Sequence, residues 1–249
     1  MSTLNSKVKR TGLVVGAGSI GERHVRCFLA TGRAEISVCE TNSGLLESIS
    51  KRYTITAGFD SIKQALLKRP DLTVICAPAH LHVPLGLAAL QSSSHLLVEK
   101  PLSTTFAGVD SLHTKAVARG LVAGVAYVYR AHPALAAMRQ TIGEGRFGKP
   151  LQIVAAFGQH FPFYRPAYRN TYYQDRATGG GAVQDAFTHI INAGEWLVGP
   201  VDALVADVDR QKLEGVEVED TVHVLTRHGK VMAASASTSI KRPTKERSP

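Results

Sequence analysis

The sequence predicts an α/β chain: a doubly wound parallel sheet in residues 1–125, then an α+β domain with a mostly antiparallel sheet in residues 126–249. Three observations predict it. The first 125 residues alternate apolar strand-like runs with amphipathic helical patterns, which is the pattern of βαβ units. A glycine-rich turn separates the first strand from the first helix. Toward the C-terminus, strand-like runs succeed one another without helices, which favours antiparallel pairing.

The elements follow in order. Gly12–Val15 is an apolar run stopped by glycine, and Ile20–Leu29 has helical character. Glu35–Glu40 is the second strand. Ser61–Leu67 opens with Ser-x-x-Gln, a capping-box signal for a helix start. Leu72–Cys76 reads as a strand, Pro84–Leu90 as a helix and Leu96–Val98 as a strand. In the second part, Leu151–Phe157 is a strand and Ala182–Leu197 a helix that begins after Gly179-Gly180-Gly181. Ala203–Val208, Thr221–Thr226 and Val231–Ser237 are successive strands. His228-Gly229 sets a hairpin between the last two. There is no internal repeat and no long low-complexity linker.

Composition narrows the class. Of 249 residues, 44% are hydrophobic and 20% charged, which is ordinary for a globular chain with a sizeable core. No apolar run approaches the roughly 18 residues of a membrane helix. Met1–Arg10 lacks the apolar stretch of a secretory signal. Cys27, Cys39 and Cys76 are odd in number and far apart, with no CxxC pair. They fit a reducing, cytoplasmic setting, and no metal site is expected. The net charge of +9 is spread along the chain, apart from a cluster at Lys241–Arg247. It reads equally well as a solvated basic surface or as attraction for an anionic partner. No nucleic-acid or membrane partner is expected.

Val14-Val15-Gly16-Ala17-Gly18-Ser19-Ile20-Gly21 is a GxGxxG placed directly between a strand and a helix, the context that a dinucleotide-binding Rossmann turn requires. Gly16 permits the tight turn, Gly18 lets a pyrophosphate approach the backbone, and Gly21 lets helix and strand pack closely. Phosphates would rest on the helix start at Ser19 and Ile20, where N–H groups and the dipole favour anions. Glu40 stands nineteen residues after Gly21 at the end of the second strand. There its carboxylate would accept ribose hydroxyls and repel a 2′-phosphate, so NAD is expected over NADP.

Four further segments carry the argument on. Cys76-Ala77-Pro78-Ala79-His80-Leu81-His82 and Glu99-Lys100-Pro101 each close a parallel strand, where ligands of such sheets bind. Tyr127-Val128-Tyr129-Arg130-Ala131-His132-Pro133 follows the domain crossover. Gly179-Gly180-Gly181-Ala182-Val183-Gln184-Asp185-Ala186-Phe187-Thr188-His189 opens the long helix, and there Asp185 and His189 are four residues apart, on one α-helical face. In this order the segments resemble the TPxxxH, EKP, YNxRxHP and GGGxxxDxxxH motifs of the Gfo/Idh/MocA oxidoreductases, which include glucose–fructose oxidoreductase and inositol dehydrogenase. The resemblance runs as far as residue 238. Ala77, Val128 and Asn192 depart from it, standing where threonine, asparagine and aspartate are common.

The resemblance implies NAD(P)-dependent hydride transfer at a secondary alcohol of a sugar, cyclitol or sugar derivative, with Pro78, His82, Glu99 and Lys100 beside the cofactor and a cis peptide before Pro101. His189 would exchange the hydroxyl proton, Lys100 would stabilise alkoxide character, and Asp185 would bind a neighbouring hydroxyl. Arg130 and the aromatic, arginine-rich stretch 159–176, with Tyr168 and Arg169, are read as substrate-binding. Two alternatives stand beside this: a glycosidase using bound NAD in redox-assisted elimination, and a non-catalytic NAD-binding regulator. Members of the family are longer and homo-oligomeric, so the second domain is expected to be incomplete here.

Overall fold

The computed structural model describes residues 9–240. The basic cluster Lys241–Arg247 and most of the segment Met1–Arg10 lie outside the described residues. Contacts divide the chain into two compact units, with the division between Ala126 and Tyr127.

The first unit winds β1 (Arg10–Val15), α1 (Ser19–Ala30), β2 (Ala34–Cys39), α2 (Ser43–Arg52), β3 (Gly58–Phe59), α3 (Ile62–Leu66), β4 (Leu72–Ile75), α4 (His82–Gln91), β5 (His95–Val98), α5 (Val109–Ala118) and β6 (Ala123–Val125). The strands form one parallel sheet in the order β3-β2-β1-β4-β5-β6. Successive strand residues face opposite sides, and both sides are covered, which explains the continuous apolar runs. Leu13 and Val15 of β1 pack with Ile75, Leu96 and Val98 against Leu90 of α4 and Leu112 of α5. Val14 points the other way and packs with Ile36, Val38 and Val74 against Val25 of α1 and Ile49 of α2.

Local signals account for some helix ends. Asn42 caps α2 by accepting the Leu45 N–H at 3.0 Å, and Lys51 and Arg52 in its last turn suit the negative end of the helix dipole. The expected capping box at Ser61 does not form. Ser61 is the N-cap of α3, but its side chain makes no cap hydrogen bond. The helix is a single turn, held by burial of Ala65 and Leu66 in the core rather than by its cap. Burial pushes the Cys39 thiol up to about 11, and the Cys76 thiol is pushed up as well. Both therefore behave as small apolar side chains.

The second unit contains α6 (Pro133–Gly143), β7 (Gln152–Gly158), the single turn α7 (Phe161–Tyr164), α8 (Thr188–Val198), β8 (Ala203–Asp209), β9 (Thr221–His228) and β10 (Val231–Thr238). The sheet order is β7-β10-β9-β8; β10 pairs antiparallel with β9 and parallel with β7. The predicted hairpin joins β9 to β10 across Gly229 and Lys230. On one face, Val222 and Val224 of β9 pack with Ala182 and Phe187. The other face presents the row Val205, Leu225, Ala234 and Val154, aligned across four strands, and Val205, Leu225 and Val154 are exposed.

The predicted single helix Ala182–Leu197 is divided. Val183–Phe187 is a π-helical turn, and regular α-helix begins at Thr188. Asp185 lies within the π-turn, whose hydrogen bonds reach to the fifth residue, and His189 lies in the first turn of the α-helix that follows.

Candidate functional site

In the first unit the glycine turn has the geometry of a nucleotide cradle. Gly16 has φ +94°, and a Cβ there would lie 2.8 Å from the Cys76 carbonyl oxygen, so a side chain is excluded by both conformation and space. A Cβ on Gly21 would sit inside the envelope of the Gly16 carbonyl oxygen, which is how α1 comes close to β1. Gly18 differs, because a Cβ there would meet nothing within 4 Å. It is the N-cap of α1, with the N–H groups of Ser19 and Ile20 following it at the helix start. The open side of Gly18 is the side from which an anionic group can reach the helix start.

Glu40 lies just past β2 with its carboxylate pinned. Oε2 accepts the Ala17 N–H at 2.6 Å, and Oε1 accepts the Asn42 N–H at 2.8 Å. The acid thus braces the glycine turn itself, a link that the spacing alone did not show. Its two oxygens hold more lone pairs than these bonds use, so ribose hydroxyls remain within its acceptor capacity.

Pro78, after β4, starts a short 3₁₀ turn over Ala79–Leu81. His82 is 1% exposed; its Nδ1 lies 2.8 Å from the Pro101 carbonyl oxygen and its Nε2 2.7 Å from that of Ala77. Both ring nitrogens lie against backbone carbonyl oxygens, and the neutral ring donates its one N–H to one of the two. Burial holds its pKa below the ordinary histidine value, partly opposed by those carbonyls and by Glu99. Glu99 is also buried. Its Oε1 lies 2.7 Å from His24 Nε2 on α1, and its Oε2 accepts the Lys100 N–H at 3.2 Å. The Lys100–Pro101 peptide is cis.

In the second unit, Asp185 is 5% exposed and accepts the Tyr172 hydroxyl at 2.8 Å. Burial, and then the Asp185 charge, push the Tyr172 pKa up, which keeps the hydroxyl a donor. The His189 ring has Tyr127 edge-on at 5.9 Å and Tyr129 tilted at 5.4 Å. The Tyr127 hydroxyl pairs with Thr188 Oγ1 at 3.0 Å. Arg130 Nε donates to Asn192 Oδ1 at 2.9 Å, so the amide that departs from the family pattern still serves as an acceptor.

The glycine run that opens this helix follows from one buried acid. Gly181 has φ +92°, and its missing Cβ leaves room for the Glu219 carboxylate. Glu219 accepts the Val183 N–H at 3.0 Å and Arg176 Nε at 2.8 Å, and its backbone carbonyl accepts the Ala182 N–H. A carboxylate at the N-terminal turn satisfies its donors and suits the helix dipole.

The expectation for stretch 159–176 needs correction. Tyr168 is core, 2% exposed, packed with Phe161 and Tyr173, and its hydroxyl donates to the Glu214 carbonyl. Arg169 lies over the Tyr168 ring and donates from Nε to the same carbonyl at 2.9 Å. These two hold the loop together. Tyr172, from this stretch, meets Asp185 of the predicted site, and the fold rather than the sequence distinguishes it from the buried Tyr168. His24 and Glu219 were likewise missed, since both bind partners remote in sequence. Among the described residues there is no cluster of His, Cys, Asp and Glu fit to hold a metal, and no helix long and apolar enough to cross a membrane.

Comparison with known proteins bears on both units. Residues 11–127 match the oxidoreductase family described as an NAD-binding Rossmann fold, and residues 135–248 match the GFO/IDH/MocA C-terminal domain. The chain is 26% identical over 207 residues to levoglucosan dehydrogenase of Pseudarthrobacter phenanthrenivorans, covering 78% of this chain and 52% of that protein. It is 28% identical over 201 residues to UDP-N-acetylglucosamine 3-dehydrogenase of Acidithiobacillus ferrooxidans, covering 80% and 58%. The crystal structure of the WlbA dehydrogenase from Bordetella pertussis, in complex with NADH and UDP-GlcNAcA, superposes with a TM-score of 0.84 at 25% identity, covering 96% of this chain and 74% of that one. The chain spans about half the length of the first curated relatives it matches.

Proposed function

Because the chain belongs to the Gfo/Idh/MocA oxidoreductase family, we propose that it is an NAD-dependent dehydrogenase acting on a secondary alcohol of a sugar, cyclitol or sugar derivative. The observation that carries the reading is the braced glycine turn: open space at Gly18 beside the start of α1, with the Glu40 carboxylate fixed to the Ala17 N–H. The turn and helix start would hold the pyrophosphate and Glu40 the adenosine ribose. The carboxylate's charge disfavours a 2′-phosphate, so NAD is preferred to NADP. When bound, the nicotinamide supplies the hydride acceptor or donor.

The chain's own side chains handle the proton and the orientation. His189 takes the hydroxyl proton on oxidation and returns it on reduction, work suited to an imidazole near neutral pH. Lys100 donates to the oxygen as it gains alkoxide character. Asp185, an acceptor whose position is set by Tyr172, binds a neighbouring hydroxyl and orients the ring that carries it. The sugar dehydrogenases among the relatives support this substrate class.

Two results are expected. Titration followed by nicotinamide fluorescence gives saturable binding with NADH at least about tenfold tighter than NADPH, and Glu40→Ala removes that preference. Equal affinity for the two nucleotides in the unaltered protein would sink the assignment of Glu40. With a sugar and cyclitol panel that yields turnover, His189→Ala lowers kcat about 100-fold or more while the NADH Kd stays within about twofold. A parallel collapse of nucleotide affinity would mean that His189 does not have this role.

A further inference from the structure

Lys100 is flanked by two residues that histidines from separate helices grip. On one side, the Glu99 carboxylate meets His24 Nε2 at 2.7 Å and the Lys100 N–H at 3.2 Å. On the other, the Pro101 carbonyl oxygen meets His82 Nδ1 at 2.8 Å. His24 lies on α1, the helix whose start forms the glycine turn, and stacks on Phe28 at 6.1 Å. His82 begins α4, and its Nε2 lies 2.7 Å from the Ala77 carbonyl oxygen in the loop after β4, so the tautomer with its proton on Nδ1 is the one that donates to Pro101. The grips are well shielded: the His24 and Glu99 side chains are 18% and 10% exposed, so solvent competes little for the bond between them.

We propose that His24 and His82 are positioning residues for Lys100, the first acting through the Glu99 carboxylate and the second through the Pro101 carbonyl. The proposal rests on the reading of Lys100 as the donor to the reacting oxygen. It adds a physical link from the nucleotide helix to that lysine, since a shift of α1 moves His24, then Glu99, then the backbone that carries Lys100. The charged and titratable groups around this link include Glu99 and His24 themselves, the Cys76 thiol just past β4, and His82 and His80 on the α4 side. The Glu99 charge acts on both Cys76 and His82, so this carboxylate is the electrostatic centre of the group.

The test reads Lys100 directly and needs no substrate. The full chain is treated at pH about 8 with an N-hydroxysuccinimide acetate, and acetylation of Lys100 is followed by peptide mass spectrometry against the exposed Lys68. In His24→Leu, the Lys100 rate relative to Lys68 should change by about threefold or more, a coupling typical of residues in one network. His24→Gln keeps an N–H donor at the reach of Nε2 and should restore it. In a Glu99→Gln background the His24→Leu change should vanish, because the histidine acts through that carboxylate. His82→Phe, which keeps a ring but removes both nitrogens, should also change the Lys100 rate.

An unaltered Lys100 rate in a folded His24→Leu chain would overturn the proposal for His24, as would a change shared equally by Lys68. If His24→Leu does not fold, Glu99→Gln alone decides: a shifted Lys100 rate supports the link and an unchanged one overturns it. Absence of any sugar turnover would count against the dehydrogenase reading and leave this acetylation result standing on its own.

Discussion

Gly21→Ala should weaken nucleotide binding about thirtyfold or more, whereas Gly18→Ala should leave the first unit folded. The difference lies in what each new methyl meets. At Gly21 it is driven into the Gly16 carbonyl oxygen, with Cys76 Cβ 3.5 Å away on the other side. Neither neighbour is the end of a flexible side chain, so α1 must move off β1. Overpacking of this kind costs about 2 kcal/mol or more, and a cradle displaced with it loses about thirtyfold in Kd. At Gly18 nothing lies within 4 Å, so the methyl costs the fold little and interferes only with what approaches from outside. The check is NADH fluorescence titration beside circular-dichroism melting of both variants. Wild-type affinity and melting in Gly21→Ala would show that the helix does not need this close approach.

Asp220→Ala should unfold or severely weaken the second unit while sparing the first. The side chain is fully buried and binds four donors: the N–H groups of Gln211 at 3.0 Å, Lys212 at 2.8 Å and Leu213 at 2.6 Å, and the Thr221 hydroxyl at 2.8 Å. These bonds fold the segment after β8 so that Leu213 enters the aromatic cluster of Phe161, Tyr168 and Tyr173. Hydrogen bonds to a charged acceptor are individually strong, and stranding several buried donors costs about 3–5 kcal/mol. Trp196, the single tryptophan, lies in α8 of this unit, so its fluorescence in urea reports on the second unit alone.

The pH dependence follows from the same carboxylate. Burial raises its pKa, but the three backbone N–H groups and Thr221 outweigh burial, and the net value is lowered. A lowered folded-state pKa adds stability that is fully present above the unfolded value of about 3.9 and is lost as pH falls from there through the folded value. Urea midpoints from Trp196 should therefore fall more steeply below pH about 4 in the wild type than in Asp220→Asn. Parallel pH profiles would assign the acid sensitivity to other groups.

Much of this was legible in the chain. The parallel sheet could be read because its strands are buried on both faces, so Gly12–Val15 is apolar throughout and Leu72–Ile75 is broken only by the small Thr73. The glycine turn could be read because its chemistry is local. The short strands Gly58–Phe59 and Ala123–Val125 could not, because two or three residues carry no period. Nor could the parallel pairing of Gln152–Gly158 with Val231–Thr238, which joins segments some 80 residues apart.

The site divides the same way. Sequence alone singled out Gly16, Gly21, Glu40, Lys100, Asp185 and His189 as candidates, because motif spacing is a property of neighbours along the chain. Only the tertiary structure decided what holds them. Glu40 is bound to the Ala17 N–H, and Glu99 to His24, 75 residues away. Asp185 lies on a π-turn and accepts the Tyr172 hydroxyl, while Tyr168, four residues before Tyr172, went into the core. A buried charge must find its hydrogen-bond partner wherever packing delivers one, and packing is not encoded in the spacing of a motif.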